Sequence, residues 1–120
     1  MLLPVNLLAA KGDATPGDPV PINQFVDIMR CFIEASAGYS GTVEFVVEIA
    51  EKSTGPWFTI SGTMGVPPAS TLSVDAPPSL TQAGGKVFVP WLRGKLTTAP
   101  TAGTVTVNAY MKPSADTRFI

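Results

Sequence analysis

The stretch "GTVEFVVEIAE", residues 41–51, decides the fold. Val43, Phe45, Val47 and Ile49 fall on one parity and Glu44, Val46, Glu48 and Ala50 on the other, a period of two that belongs to a pleated strand. Stiff β-branched side chains suit such a surface. The expectation is a half-buried strand with its glutamates on a solvated face. Glu44 with Glu48 or Glu34 has the composition of a general acid/base pair, and the same residues equally suit a strand face kept soluble by charge. The solvated face is the expected reading.

Working outward, "WFTISGT" (57–63) and "TLSVDA" (71–76) read as further strands, interrupted by "GVPPAS" (65–70) and "PPSLTQAGG" (77–85). In "KVFVPWLRGKLTT" (86–98), Val87, Val89, Trp91, Arg93 and Lys95 share one parity, while Phe88, Leu92 and Leu96 share the other. Pro90 cannot donate to a ladder, so it marks an edge, a bulge or the start of the strand. "TVTVNAYM" (104–111) places Val105, Val107, Ala109 and Met111 inward and Thr104, Thr106, Asn108 and Tyr110 outward. The short loop "APTAG" between these two segments predicts an antiparallel hairpin.

Upstream, "INQFVDIMRCFIEASAG" (22–38) is ambiguous. Ile22, Phe25, Val26, Met29 and Ile33 follow helical spacing, yet Met29, Cys31, Ile33 and Ala35 alternate with Arg30, Phe32 and Glu34. A strand over residues 27–36 is the preferred reading. "KGDATPGDPVP" (11–21) is expected to be an extended linker. "MLLPVNLLAA" (1–10) has no basic flank, and Pro4 and Asn6 break its apolar run, so it reads as an N-terminal arm rather than a signal peptide.

Composition narrows the chemistry. The 120-residue chain fits one domain. Its net charge is −1 and its eight basic residues are scattered singly, so no basic stripe offers itself to nucleic acid. No apolar run approaches the roughly 18 residues that a spanning helix needs. The single cysteine, Cys31, excludes an intrachain disulfide, and histidine, the commonest general base and metal ligand, is absent. In an apolar strand Cys31 is expected to be a small buried hydrophobe.

Asp13 and Asp18 match no calcium-loop spacing and read as turn residues. No phosphate-binding glycine pattern occurs. Trp57 and Trp91, each following a proline, could stack on sugar rings or anchor a core or intersubunit contact, and the anchoring role is preferred. No cofactor, metal or catalytic set is expected.

Six or seven short strands without a long helix predict an all-β chain: a single antiparallel β-sandwich with jelly-roll-like connections. Its expected divisions are an arm and linker over 1–21, the sandwich over 22–111 and a C-terminal tail over 112–120.

The order of motifs adds a resemblance. "SGTVEFVVEIAEKSTGPWFTISGT", then "TLSVDAPPS", then "VPWLRGKLTTAPTAGTVTV" resembles a β-sandwich module of tailed-bacteriophage virion proteins. The matching positions are Gly41, Thr42, Val43 and Glu44; Trp57 and Ile60; Ser73, Val74, Ala76 and Pro77; and Leu92, Lys95, Leu96, Thr97, Gly103, Thr104, Val105, Thr106 and Val107. The chain departs from the module in "KSTGP" before Trp57 and in the longer "PPSLTQAGGKVFVPW".

The resemblance implies a non-enzymatic capsid decoration (cement) or head–tail accessory protein. It would be assembled in the host cytoplasm and held on the virion in repeated or homo-oligomeric copies by contacts with major capsid or other virion proteins. Leu2, Leu3, Val5, Leu7, Leu8, Trp57, Trp91, Tyr110, Phe119 and Ile120 are the expected partner-binding residues. The alternative is a carbohydrate- or receptor-binding sandwich, with Trp57 or Trp91 and Tyr110 as a stacking platform.

Overall fold

The computed structural model describes residues 3–60, 64–67, 72–75 and 87–113, and within them the regular structure is all strand, with no helix. The strands are β1 (Leu3–Lys11), β2 (Val20–Ala35), β3 (Glu44–Ala50), β4 (Phe58–Thr59), β5 (Met64–Gly65), β6 (Leu72–Asp75), β7 (Val87–Leu96) and β8 (Val105–Pro113). Every pairing is antiparallel, in the order β1-β8-β2-β7-β3-β4, with β5 also on β3 and β6 also on β2.

This hydrogen-bonded network folds over at β2 into two antiparallel sheets, consistent with a β-sandwich. The first half of β2 pairs with β7 from Val20 to Val26, whereas the second half pairs with β8 from Ile28 to Ala35 and with β6 from Cys31 to Glu34. Register shifts fall between Pro21 and Gln24, where Asn23 takes a positive φ of 51°, and between Val26 and Ile28. Bulges of this kind bend a strand and let it serve both layers.

They also explain the helical-looking spacing of this segment. Ile22, Val26, Met29 and Ile33 all face the core because the parity changes between Val26 and Met29, not because the backbone turns every 3.6 residues. From Met29 onward the expected alternation holds, with Cys31, Ile33 and Ala35 buried and Arg30 and Glu34 exposed.

One core is filled from both sheets. Leu7, Leu8, Cys31, Ile33, Val105, Val107, Ala109 and Met111 meet Phe45, Val47, Val89, Leu92 and Leu96 from the other side. The alternation expected along β8 is observed in full, its four inward residues being completely buried.

Two expectations are corrected. β7 and β8 do not form a hairpin: β7 lies between β2 and β3, β8 between β1 and β2, and the connection over residues 97–104 crosses from one sheet to the other. It is held there by the β2–β3 connection, which crosses beside it. Ser36 N donates to Thr104 O, Ser40 N to Ala102 O and Thr101 N to Ser40 O, each at 3.0 Å. The Ser36 hydroxyl accepts from Thr104 N at 3.0 Å. Gly103, with φ of 77°, lies so close beneath the neighbouring connection that an added Cβ would stand 2.4 Å from the Tyr39 backbone. These bonds supply the partners that a tight hairpin would otherwise supply.

Secondly, residues 3–11 form edge strand β1, hydrogen-bonded to β8, where a free arm was expected, and the boundary expected at residue 22 falls inside β2. A register shift between Asn6 and Leu8 turns both Leu7 and Leu8 into the core. The following segment is tied down as well, with Gly17 N donating to Gly94 O at 2.8 Å. Gly17 and Gly94 are buried where β1 comes closest to β7, and a Cβ on Gly17 would meet Leu7 O at 2.0 Å. In β7, Val89 and Leu92 are both fully buried although they differ in parity, as a bulge at Pro90 allows. The change occurs around Pro90, opposite the first bulge of β2.

Candidate functional site

The outer faces of the two sheets carry different chemistry. On β3 and β7, Glu48 and Arg93 are direct cross-strand partners, and Arg93 Nε donates to Glu48 Oε1 at 2.7 Å. The Arg93 guanidinium carbon lies 4.2 Å from the centre of the Trp57 ring, which stacks over it. Glu48 and Arg93 side chains are only 11% and 17% exposed, so the solvated glutamate face expected for β3 holds for Glu44 alone. Shielding from water strengthens the pair and makes the loss of either member costly. Arg93 thus occupies the Glu48 carboxylate, and Trp57 is the lid on that pair. Trp91, half-buried on the same strand, lies opposite Pro21 on β2 and Ala50 on β3.

The outer face of the β1–β8–β2 sheet combines aromatic and short polar side chains. Tyr110 is exposed and lies opposite Arg30, with its ring edge-to-face against Phe32 at 5.1 Å and 71°. Asn6 Nδ2 donates to Asn108 Oδ1 at 2.9 Å, and Thr106 Oγ1 accepts from Ala10 N at 3.1 Å. Thr104, Thr106, Asn108 and Tyr110 form the outward row expected from sequence. A second aromatic pair, Phe25 with Phe88, joins β2 to β7 at 5.1 Å and 66°.

The remaining candidates occupy ordinary structural positions. Cys31 is wholly buried in the core. Asp13 accepts from Thr15 N at 3.0 Å and from the Thr15 hydroxyl, and Lys11 lies 3.7 Å away. The Thr15 hydroxyl, its backbone N–H and the lysine charge together hold the Asp13 carboxyl below the usual aspartate range. Asp13 is thus the turn residue expected, and no cluster of three or more acidic, cysteine or histidine side chains occurs among the described residues.

Of the residues expected to bind partners, Val5, Leu7 and Leu8 belong to the chain's own core. Leu3 holds the register position opposite Met111, and its side chain is not described. Leu2, Phe119 and Ile120 lie outside the described residues. Trp57 and Trp91 share the β3–β7 face, whereas Tyr110 stands on the other sheet, so the stacking platform imagined for a sugar is not assembled. Sequence reasoning missed Arg93 and Phe32 as members of these surfaces, because each acquires its role from a partner on another strand.

No protein-family model matches the chain, and no curated protein matches it in sequence.

Proposed function

We propose that this protein is a structural virion protein, a capsid decoration or accessory subunit that stabilises its particle through protein–protein contacts. The reading begins from the resemblance of residues 40–111 to phage virion sandwiches, whose jelly-roll-like body would present one broad face to its neighbours. The observation that carries it is the outer face of the β1–β8–β2 sheet, where Tyr110 and Phe32 stand beside Arg30, Asn6, Asn108 and Thr106. Tyrosine, phenylalanine and arginine are the residues enriched at protein interfaces. Short threonine and asparagine side chains around them lose little entropy on contact.

With Leu7 and Leu8 committed to the core, docking in this reading falls to the sheet face and to the ends of the chain. Major capsid or other virion proteins would be the partners, and symmetric repetition would raise the effective strength of each modest contact. The protein would act without catalysis, nucleic acid or membrane. Aromatic rings at 71° and 66° to one another suit an interdigitated protein contact better than the flat platform a pyranose ring requires. Mass spectrometry of density-purified particles from the source of the gene tests the reading: the protein is expected at stoichiometric, repeated copy number, and its absence from every particle fraction overturns the proposal.

A further inference from the structure

The outer face of the β1–β8–β2 sheet carries two opposite charges that the sheet itself does not pair. Arg30 and Glu34 are both exposed on the outward parity of β2, with Phe32 midway between them. Four residues of strand separate them by roughly 13 Å. Glu34 makes no hydrogen bond or ion pair among the described residues, and the Arg30 guanidinium donates to the neighbouring Met29 carbonyl at 3.1 Å, with no carboxylate beside it. Their direct neighbours on β8, Tyr110 and Thr106, are uncharged.

We infer that a second copy of this chain covers this face in the free protein, related to the first by a two-fold axis through Phe32. Such an axis, normal to the sheet, sets the two β2 strands antiparallel and lays Arg30 of each copy over Glu34 of the other, with the Phe32 rings meeting between two identical ion pairs. It also lays β8 of one copy over β6 of the other, because these strands flank β2 on opposite sides, and Tyr110 is thereby covered. Sheets stacked face to face stand about 10 Å apart, a gap that an arginine and a glutamate reaching from opposite sides close. With the β2 strands parallel, Arg30 would meet Arg30 and Glu34 would meet Glu34, so charge selects the antiparallel arrangement. A foreign partner would have to match both charges at their spacing around an aromatic ring, a pattern that a second copy carries by symmetry. The inference rests on the reading of this face as a protein-docking surface and names its occupant before the particle: docking exchanges the second copy for the particle's surface.

The test is sedimentation equilibrium of the isolated full chain at low ionic strength, from about 10 µM to 1 mM, the span in which small interfaces associate. The native chain should pass from monomer towards dimer. Arg30→Glu and Glu34→Arg each set two like-charged pairs across the axis, and each should raise the dissociation constant about tenfold or more. An equimolar mixture of the two variants should regain native association, since every pair across the axis is then opposite in charge. A native chain monomeric throughout, single variants that associate as it does, or a mixture no tighter than its components would overturn the inference. A monomeric native chain that still binds particles leaves the docking reading standing, and a charge-dependent dimer that no particle contains leaves this one standing.

Discussion

Arg93 and Glu48 face each other across the β3–β7 ladder with 2.7 Å between Nε and Oε1, largely hidden from water beneath Trp57. Removing one member strands the other. Glu48→Ala and Arg93→Ala are each expected to cost about 2–3 kcal/mol in denaturant unfolding. The double replacement Glu48→Leu with Arg93→Met should recover most of that loss, because no charge remains buried. A double variant as unstable as the sum of the singles would show that the two side chains do not act as a pair.

Gly103 allows the two inter-sheet connections to cross. A Cβ there would stand 2.4 Å from Tyr39 N and Cα at a φ of 77°, so Gly103→Ala combines a backbone clash with a left-handed conformation. A loss of about 2 kcal/mol or more is expected, measured by urea unfolding. Gly38, whose Cβ would meet nothing within 4 Å, is the internal control, and Gly38→Ala should leave the midpoint within error.

Deleting residues 1–10 removes a strand rather than an arm. Leu7 and Leu8 are buried and β1 supplies one edge of the β8 ladder, so the truncated chain should fail to give a cooperative unfolding transition. The milder Leu8→Ala should retain the fold at a cost of about 2–5 kcal/mol. A truncated chain that unfolds with the native midpoint would show that β1 is dispensable to the core.

The Asp13 carboxyl is held below the ordinary aspartate range, first by the Thr15 hydroxyl and then by the Thr15 backbone N–H. With the folded value depressed, this contact's contribution is complete above the unfolded value of about 4 and disappears as pH falls through the folded value. Carbon-13 titration of Asp13 should give a midpoint below that of a model peptide, and Thr15→Val should move it upward. An unchanged midpoint in Thr15→Val would remove the hydroxyl from the account.

Strand periodicity was legible wherever the backbone stayed regular. In β8 the inward residues follow strict alternation and the structure buries them accordingly, whereas β3, expected to be half-buried, is covered on both faces, with Val46, Glu48 and Ala50 buried and Ile49 only partly so. Alternation fails as a guide where a bulge intervenes. Leu7 and Leu8 are adjacent yet both inward, and Ile22, Val26, Met29 and Ile33 imitate a helix across a shift in register. Pairing was less legible, since alternation shows which face a residue takes and nothing of its neighbour. β7 and β8 are consecutive and both well patterned, yet their connection bonds to residues 36–40 and carries the chain between sheets. The same limit hid the outer surfaces: Glu48 looks solvated until Arg93, 45 positions along, is placed opposite it.

The proposed role rests on the claim that the Tyr110 face docks on a virus particle. Its most direct test is cosedimentation of the purified protein with particles stripped of it, comparing the native chain with Tyr110→Asp. The substitution adds a charge to an outward position and gives up the edge-to-face contact with Phe32, so it is expected to cost about 1–2 kcal/mol of unfolding free energy while leaving the chain folded. The native chain is expected to pellet with the particles and the folded Tyr110→Asp variant to remain in the supernatant. Equal binding of both, or binding of neither, would contradict the claim.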